Sequence, residues 1–168
     1  MQSAARDTVR MKLPDVLGPD LRVVFCGTAA GAKSAAVRAY YAGPGNQFWP
    51  TLHEVGFTPL QLRPTEFRSL LDYSLGLTDV CKVAAGSDRD VDGQWDVPAL
   101  RQRLQHCGPG WLAFNGKKAA EVVLGRPVGY GRQPETLGST GMFVLPSTSG
   151  AARKFWTLHP WRELAQLA

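Results

Sequence analysis

The sequence predicts an α/β fold: a single three-layer domain with a mostly parallel central sheet of about four strands and helices on both faces. Three observations carry this expectation. Short apolar runs at 22–26, 77–80, 111–114 and 142–145 have the length and composition of buried strands. Stretches with helical spacing separate them. No internal repeat or linker divides the 168 residues, and a hydrophobic content of 44% is enough for one substantial core.

The elements justify themselves in turn. Arg22–Cys26 is an apolar, β-branched run that stops at Gly27. Thr28 to Gly31 is small and flexible, and Lys33–Tyr41 is an alanine-rich, helix-compatible segment. A strand that empties through glycines into a helix start gathers free N–H groups and the positive end of a helix dipole. Open α/β sheets hold their ligands at such a corner. Phe48–Val55 reads as a short helix, with Trp49, Leu52 and Val55 at helical spacing. Pro64–Tyr73 reads as another, opened by Pro64, with Phe67, Leu70 and Leu71 on one face and Gly76 as its end. Leu77–Val80 is a short extended piece.

Ala84–Trp95 is a polar loop rich in glycine and aspartate. Asp96 is placed to N-cap a helix reaching Cys107, whose apolar stripe is Val97, Leu100, Leu104 and Cys107. Trp111–Phe114 is the next strand, and Asn115-Gly116 turns it into a helix over Lys117–Leu124. Arg126–Gly141, with four glycines and two prolines, reads as a loop. Met142–Leu145 is the last strand, followed by a PSTSG turn and a helical region from Ala152 to Leu167. Parallel strands send their following loops to one edge, so these loops converge on one cleft.

Charge and cysteines narrow the partners. A net charge of +5 and a pI near 9.4 favour a polyanion. No run approaches ~18 consecutive apolar residues, so no membrane span is expected. Residues 1–14 hold Arg6, Arg10 and Lys12 but lack the apolar centre of a signal peptide. They read as a disordered arm ahead of a folded domain at 15–168, and a cytoplasmic location is expected. Cys26, Cys81 and Cys107 are odd in number with no C-x-x-C, and His53, His106 and His159 are isolated. Neither a disulfide framework, a metal site nor any cofactor is expected. A monomer is the expectation at this size.

Gly27–Ser34 (GTAAGAKS) nearly fits the phosphate-loop pattern G-x-x-x-x-G-K-[ST], but Ala32 stands where the second glycine belongs. An ordinary strand–turn–helix corner explains the same residues. A third reading is a resemblance. VVFCG, a small-residue loop and then PGNQFW resemble the first motif region of the mismatch-specific uracil-DNA and thymine-DNA glycosylase family, part of the uracil-DNA glycosylase superfamily. LLDYSLGLTDV, FNGKKA and VLPSTSGAARK follow in the family's order and at similar spacing. The resemblance spans the chain from about Leu17 onward. The superfamily's iron–sulfur members need four thiolates, which three cysteines cannot supply.

The resemblance implies hydrolysis of the N-glycosidic bond of uracil in DNA. The base must leave the stack, the leaving uracil anion must be stabilised, and the sugar's oxocarbenium character must meet a carboxylate or an oriented water. Gly27 and Gly31 stand at the two glycines of the family's G-x-N-P-G loop, whose amides at Thr28 and its neighbours suit a developing oxyanion. Tyr41 stands where the family stacks a phenylalanine on the base, and would otherwise be a core residue. Ser34 matches a position beside the base's 5-substituent. Asn46 is expected to hold the loop, and Phe48 and Trp49 to be core. Two departures stand out. The family's catalytic asparagine is Ala29 here, and Ser147-Thr148-Ser149-Gly150 offers no histidine to polarise the base.

Asp79, at the end of an extended piece, is the replacement carboxylate expected here, ionised near its ordinary pKa of about 3.9. A local cap or salt bridge is its bland reading, and Asp88, Asp90 and Asp92 are rivals in a solvated loop. Gly150, Ala151, Ala152, Arg153 and Lys154 resemble the loop that fills the hole left by a flipped base. Its wedge would be Ala151, smaller than the family's residue, and so a weak discriminator of the opposite base. Arg153 would meet the orphaned base or a phosphate, and Lys154, Lys117 and Lys118 phosphates. Two alternatives stay open: a non-catalytic binder of damaged DNA with this fold, and a P-loop nucleotide-binding protein. The DNA substrate is left open between duplex and single strand.

Overall fold

The computed structural model of the protein describes residues 12–168. Five strands form one sheet: β1 (Val23–Gly27), β2 (Leu75–Asp79), β3 (Trp111–Asn115), β4 (Gly131–Leu137) and β5 (Thr140–Leu145). Their order is β2-β1-β3-β5-β4. β1 lies parallel between β2 and β3, β3 lies parallel to β5, and β4 alone is antiparallel. The helices are α1 (Ala32–Val37), α2 (Phe48–Glu54), α3 (Val97–Cys107), α4 (Lys117–Leu124) and α5 (His159–Leu167). Two 3₁₀ segments, Pro64–Tyr73 and Gly150–Phe155, complete the set. The mostly parallel α/β architecture is the expected one.

Both faces of the sheet are apolar because both are covered. Val23, Phe25, Leu75, Leu77, Ala113, Phe143 and Leu145 point to one face, where Phe48, Leu52, Phe67 and Trp161 pack on them. Val24, Cys26, Leu112, Phe114, Met142 and Val144 alternate to the other, against Leu100 and Leu104 of α3 and Ala119, Ala120 and Val123 of α4. Phe25 anchors the first face through edge contacts to Phe48 and Phe57 and a stacked contact to Trp161 at 5.7 Å. As expected, the Asp96 side chain caps α3 by accepting from Ala99 N at 3.1 Å. Among the described residues no helix is long and apolar enough to cross a membrane.

Four expectations change. The segment read as a loop over Arg126–Gly141 contains β4, an edge strand that returns through Gly138-Ser139 to pair with β5. A register shift between Arg132 and Thr136 lets Pro134 sit at the edge without breaking the ladder. Gly76 does not end the Pro64–Tyr73 segment; Ser74, in the left-handed region at φ 59°, does. Gly76 lies inside β2, where a Cβ would stand 2.5 Å from the Val16 carbonyl oxygen. The expected Lys33–Tyr41 helix is shorter, ending at Val37 with Arg38 left-handed. The C-terminal helical region is two pieces, Gly150–Phe155 and α5, separated at Trp156–Leu158.

Residues 1–11 of the expected arm lie outside the described residues. Lys12, Leu13 and Pro14 are held to the domain, although Lys12 and Pro14 are exposed. Leu13 is buried, the Lys12 amide donates to Lys82 O, and Tyr40 Oη donates to Pro14 O.

Candidate active site

The carboxyl ends of β1, β2, β3 and β5 open into one cleft of about 760 Å³. The β1 loop from Gly27 to Ser34 forms one wall, with Tyr41, Asp79, Asn115 and the Ser147–Ala152 turn around it. The loop is held from behind through its carbonyls: Val80 N donates to Gly27 O, Cys81 N to Thr28 O and Gly86 N to Ala30 O. Thr28 and Ala29 keep their N–H groups without an acceptor among the described residues, and both line the cleft. Such an arrangement suits a growing negative charge on a ligand oxygen.

Asp79 is the last residue of β2 and pairs in register with Gly27. Its side chain lines the cleft, with the residue only 3% exposed. A Cβ on residue 27 would stand 2.8 Å from Asp79 Oδ1 and 3.4 Å from Tyr41 Oη, so only glycine lets the strand pass beneath both groups. Behind Asp79 lies a buried charge network. Lys82 Nζ is 3.8 Å from Asp79 Oδ2, 2.9 Å from Asp15 Oδ1, and donates to Tyr40 Oη at 3.0 Å. Arg103 is ion-paired with Asp15 at 3.0 Å and donates to the Asp79 carbonyl and Thr78 Oγ1. Two carboxylates and two cations thus balance out of water.

Burial pushes the Asp79 carboxyl up to about 6, a rise that Lys82 and Arg103 oppose and Asp15 reinforces. The expectation of an unperturbed carboxylate is therefore corrected: desolvation outweighs the cations. The group is still mostly ionised at neutral pH, and more basic than a surface aspartate. Burial also drives the thiol of Cys26 and the hydroxyl of Tyr41 upward, with the Asp79 charge adding to both.

Tyr41 adopts the left-handed region at φ 53°, a costly conformation for a residue with a side chain. Its ring lies 4.0 Å from Phe48 at 31°, and its Oη is buried without a hydrogen-bond partner. Phe48 and Trp49 are core, and Asn46 Oδ1 accepts from Phe48 N, holding the loop as expected. Ser34 lines the cleft, but its Oγ accepts from Ala42 N at 3.0 Å, so the hydroxyl also shapes the return of the loop. Gly150, Ala151 and Ala152 line the cleft mouth; Arg153 and Lys154 are exposed beside them. Lys117 and Lys118 line the opposite side, Lys117 over the Tyr130 ring.

The rival aspartates separate. Asp88 is drawn to the cleft by Thr28, whose Oγ1 donates to it at 2.6 Å. Asp90 is occupied by Ser87 and exposed, and Asp92 is exposed. Sequence reasoning missed Asp15, Lys82 and Arg103, which lie far apart in the chain, and the role of Asn115. That amide donates to Thr148 Oγ1 at 2.9 Å and accepts from Thr148 N at 3.0 Å, tying the β3 and β5 loops together. The FNG run was the signal for it. A phosphate loop fits poorly: the helix after it has six residues, and the Asp79 carboxylate lies directly behind its first glycine.

Comparison with known proteins agrees with this geometry. The sequence profile of the Uracil DNA glycosylase superfamily matches residues 14–165. A solution NMR structure of a "putative Uracil DNA glycosylase" from Methanosarcina acetivorans is similar, with a TM-score of 0.64 and 25% identity. The match covers 92% of this chain and 93% of that one.

Proposed function

Since the chain belongs to the uracil DNA glycosylase superfamily, we propose that it is a monofunctional glycosylase that removes uracil, mismatched uracil included, from DNA. The single observation that carries this reading is the buried Asp79 carboxylate set against the start of the amide-bearing β1 loop in one cleft. The flipped uracil enters with one face on the Tyr41 ring, which Phe48 backs from the other side. Ser34 lies toward its 5-position. As the bond between C1′ and the base nitrogen lengthens, its electron pair moves onto uracil, and the amides of Thr28 and Ala29 take up the charge at a carbonyl oxygen. Ionised Asp79 stabilises the cationic sugar and orients a water. The water oxygen bonds to C1′, its proton passes to Asp79, and an abasic site remains. Asp79 thus takes the role that Ala29 cannot fill.

DNA is the partner, reached through Lys117, Arg153 and Lys154, and the protein works as a monomer in the cytoplasm. Incubating uracil-containing oligonucleotides with the protein and then with alkali tests the reading: strand scission at uracil supports it. Binding without scission would instead favour the second reading, a non-catalytic binder of damaged DNA, for which the alanine at position 29 is the motive.

A further inference from the structure

The rim of the cleft carries an aromatic ring that the fold itself does not use. Phe155 ends the Gly150–Phe155 segment and lines the cleft mouth, yet it is 62% exposed, more than any other large hydrophobic side chain among the described residues. Its neighbour Trp156 packs against the core, with its ring 6.2 Å from Trp161. The segment that presents Phe155 is tightly held. Ser149 Oγ accepts from Ala151 N, Ser149 O from Ala152 N and Arg153 O from Trp156 N. Gly150 and Gly45 sit back to back: a Cβ on Gly150 would stand 3.2 Å from Pro44 O, and one on Gly45 3.0 Å from Arg153 Nη2. A rigid turn therefore holds the ring out into solvent. Lys154 Nζ lies 5.1 Å from the ring centroid, placing a cation beside it.

We propose that Phe155, rather than Ala151, is the side chain that enters the DNA stack when a base leaves it for the cleft. The proposal rests on the DNA reading above. A departed base leaves two faces of its neighbours exposed, and an apolar or aromatic side chain can replace the lost stacking. An alanine methyl offers almost no area for this, whereas a phenyl ring matches the shape of the gap. The flanking Arg153 and Lys154 hold the phosphates on either side, so the same short segment attracts the backbone and fills the hole. Opposite-base selectivity then depends on the ring of Phe155, not on the size of residue 151.

The test uses the full chain with Phe155→Ala, Phe155→Leu and Ala151→Gly. Substrates are a duplex with uracil opposite guanine and the same uracil strand alone, and a second duplex carries 2-aminopurine beside the uracil. Phe155→Ala should lower duplex cleavage about tenfold or more, the scale of one lost base–aromatic stack, and change single-strand cleavage less than twofold. Phe155→Leu should keep most of the activity, and Ala151→Gly should cost less on the duplex than Phe155→Ala does. The 2-aminopurine should brighten on binding the parent and stay dark with Phe155→Ala, while the thermal midpoint is unchanged. Equal losses on both substrates, or a fluorescence rise that survives Phe155→Ala or never occurs with the parent, would overturn the proposal. A parent that cleaves neither substrate refutes the glycosylase reading instead, and the 2-aminopurine signal still decides the role of Phe155.

Discussion

The floor and the rim of the cleft handle charge in opposite ways. On the floor, Asp79, Asp15, Lys82 and Arg103 are withdrawn from water and answer one another within 4 Å. On the rim, Lys117, Arg153 and Lys154 are exposed and have no carboxylate in ion-pair reach among the described residues. Buried charges gain strength from the low dielectric and tolerate no loss of a partner. Exposed cations are weak individually, screened by salt, and free to meet a polyanion. On the function proposed above, the difference is a division of labour: reactivity would depend on the balanced floor, and attraction to DNA on the unbalanced rim.

The largest expected effect comes from breaking the floor. Lys82→Met leaves Asp15 with Arg103 and the Asp79 carboxylate without an ion-pair partner among the described residues, and should destabilise the fold by about 3–5 kcal/mol in denaturant titration. A loss below about 1 kcal/mol would mean the network is no tighter than a surface pair.

Next is Asp79→Ala, which should cut single-turnover uracil release by at least ~100-fold while DNA affinity barely moves. Activity equal to the parent's would remove Asp79 from the mechanism and turn attention to Asp88, the rival that lines the cleft. Ala29→Asn should leave the parent active and restore part of the loss. The same carboxylate sets a pH profile. Because its ionised form acts, the rate should climb about tenfold per pH unit below about 6 and level off above it. The stability sign runs the other way. The folded-state value lies above the ordinary 3.8, so this group's stabilising contribution is complete below about pH 3.8 and is lost as pH rises through about 6. Asp79→Asn cannot ionise, so its stability relative to the parent should improve between about pH 4 and pH 7.

The rim yields the smaller effects. Arg153→Ala should weaken duplex binding by about 1–3 kcal/mol if it meets a base, and less if only a phosphate. Lys117→Ala should weaken all sequences alike and lower the slope of log affinity against log salt by about one. A slope untouched by either change would separate the rim from DNA and undo the contrast with the floor.

The sheet was legible because its central strands are buried on both faces and read as unbroken apolar runs. β4 was not, for its residues GRQPETL bury only Gln133 and Leu137, a pattern with no periodic apolar signal. Its evidence lies in pairing, which no local window contains. Gly76 misled for a similar reason: the close approach of Val16, 60 residues earlier in the chain, requires the glycine, and no helix end does. In the candidate site, Asp79 was visible as the carboxylate at the end of an apolar extended run, which the structure places at the sheet edge as β2. Its network was not, because Asp15, Lys82 and Arg103 each look like ordinary surface charges until the fold removes water from them.

The Asp15 ion pairs have a consequence for where this domain starts. Among the described residues every named strand and helix begins after residue 22, so trimming the chain to Leu17 would spare them all while removing the buried Leu13 and Val16 and the Val16 bridge to Leu77. It would also delete a carboxylate that shares Lys82 and raises the basicity of Asp79. A fragment chosen by secondary structure would thus leave Lys82 beside Asp79 without its second carboxylate, in the cleft where the proposed reaction takes place. The working unit is set by charge neutrality, and its border lies upstream of the first strand.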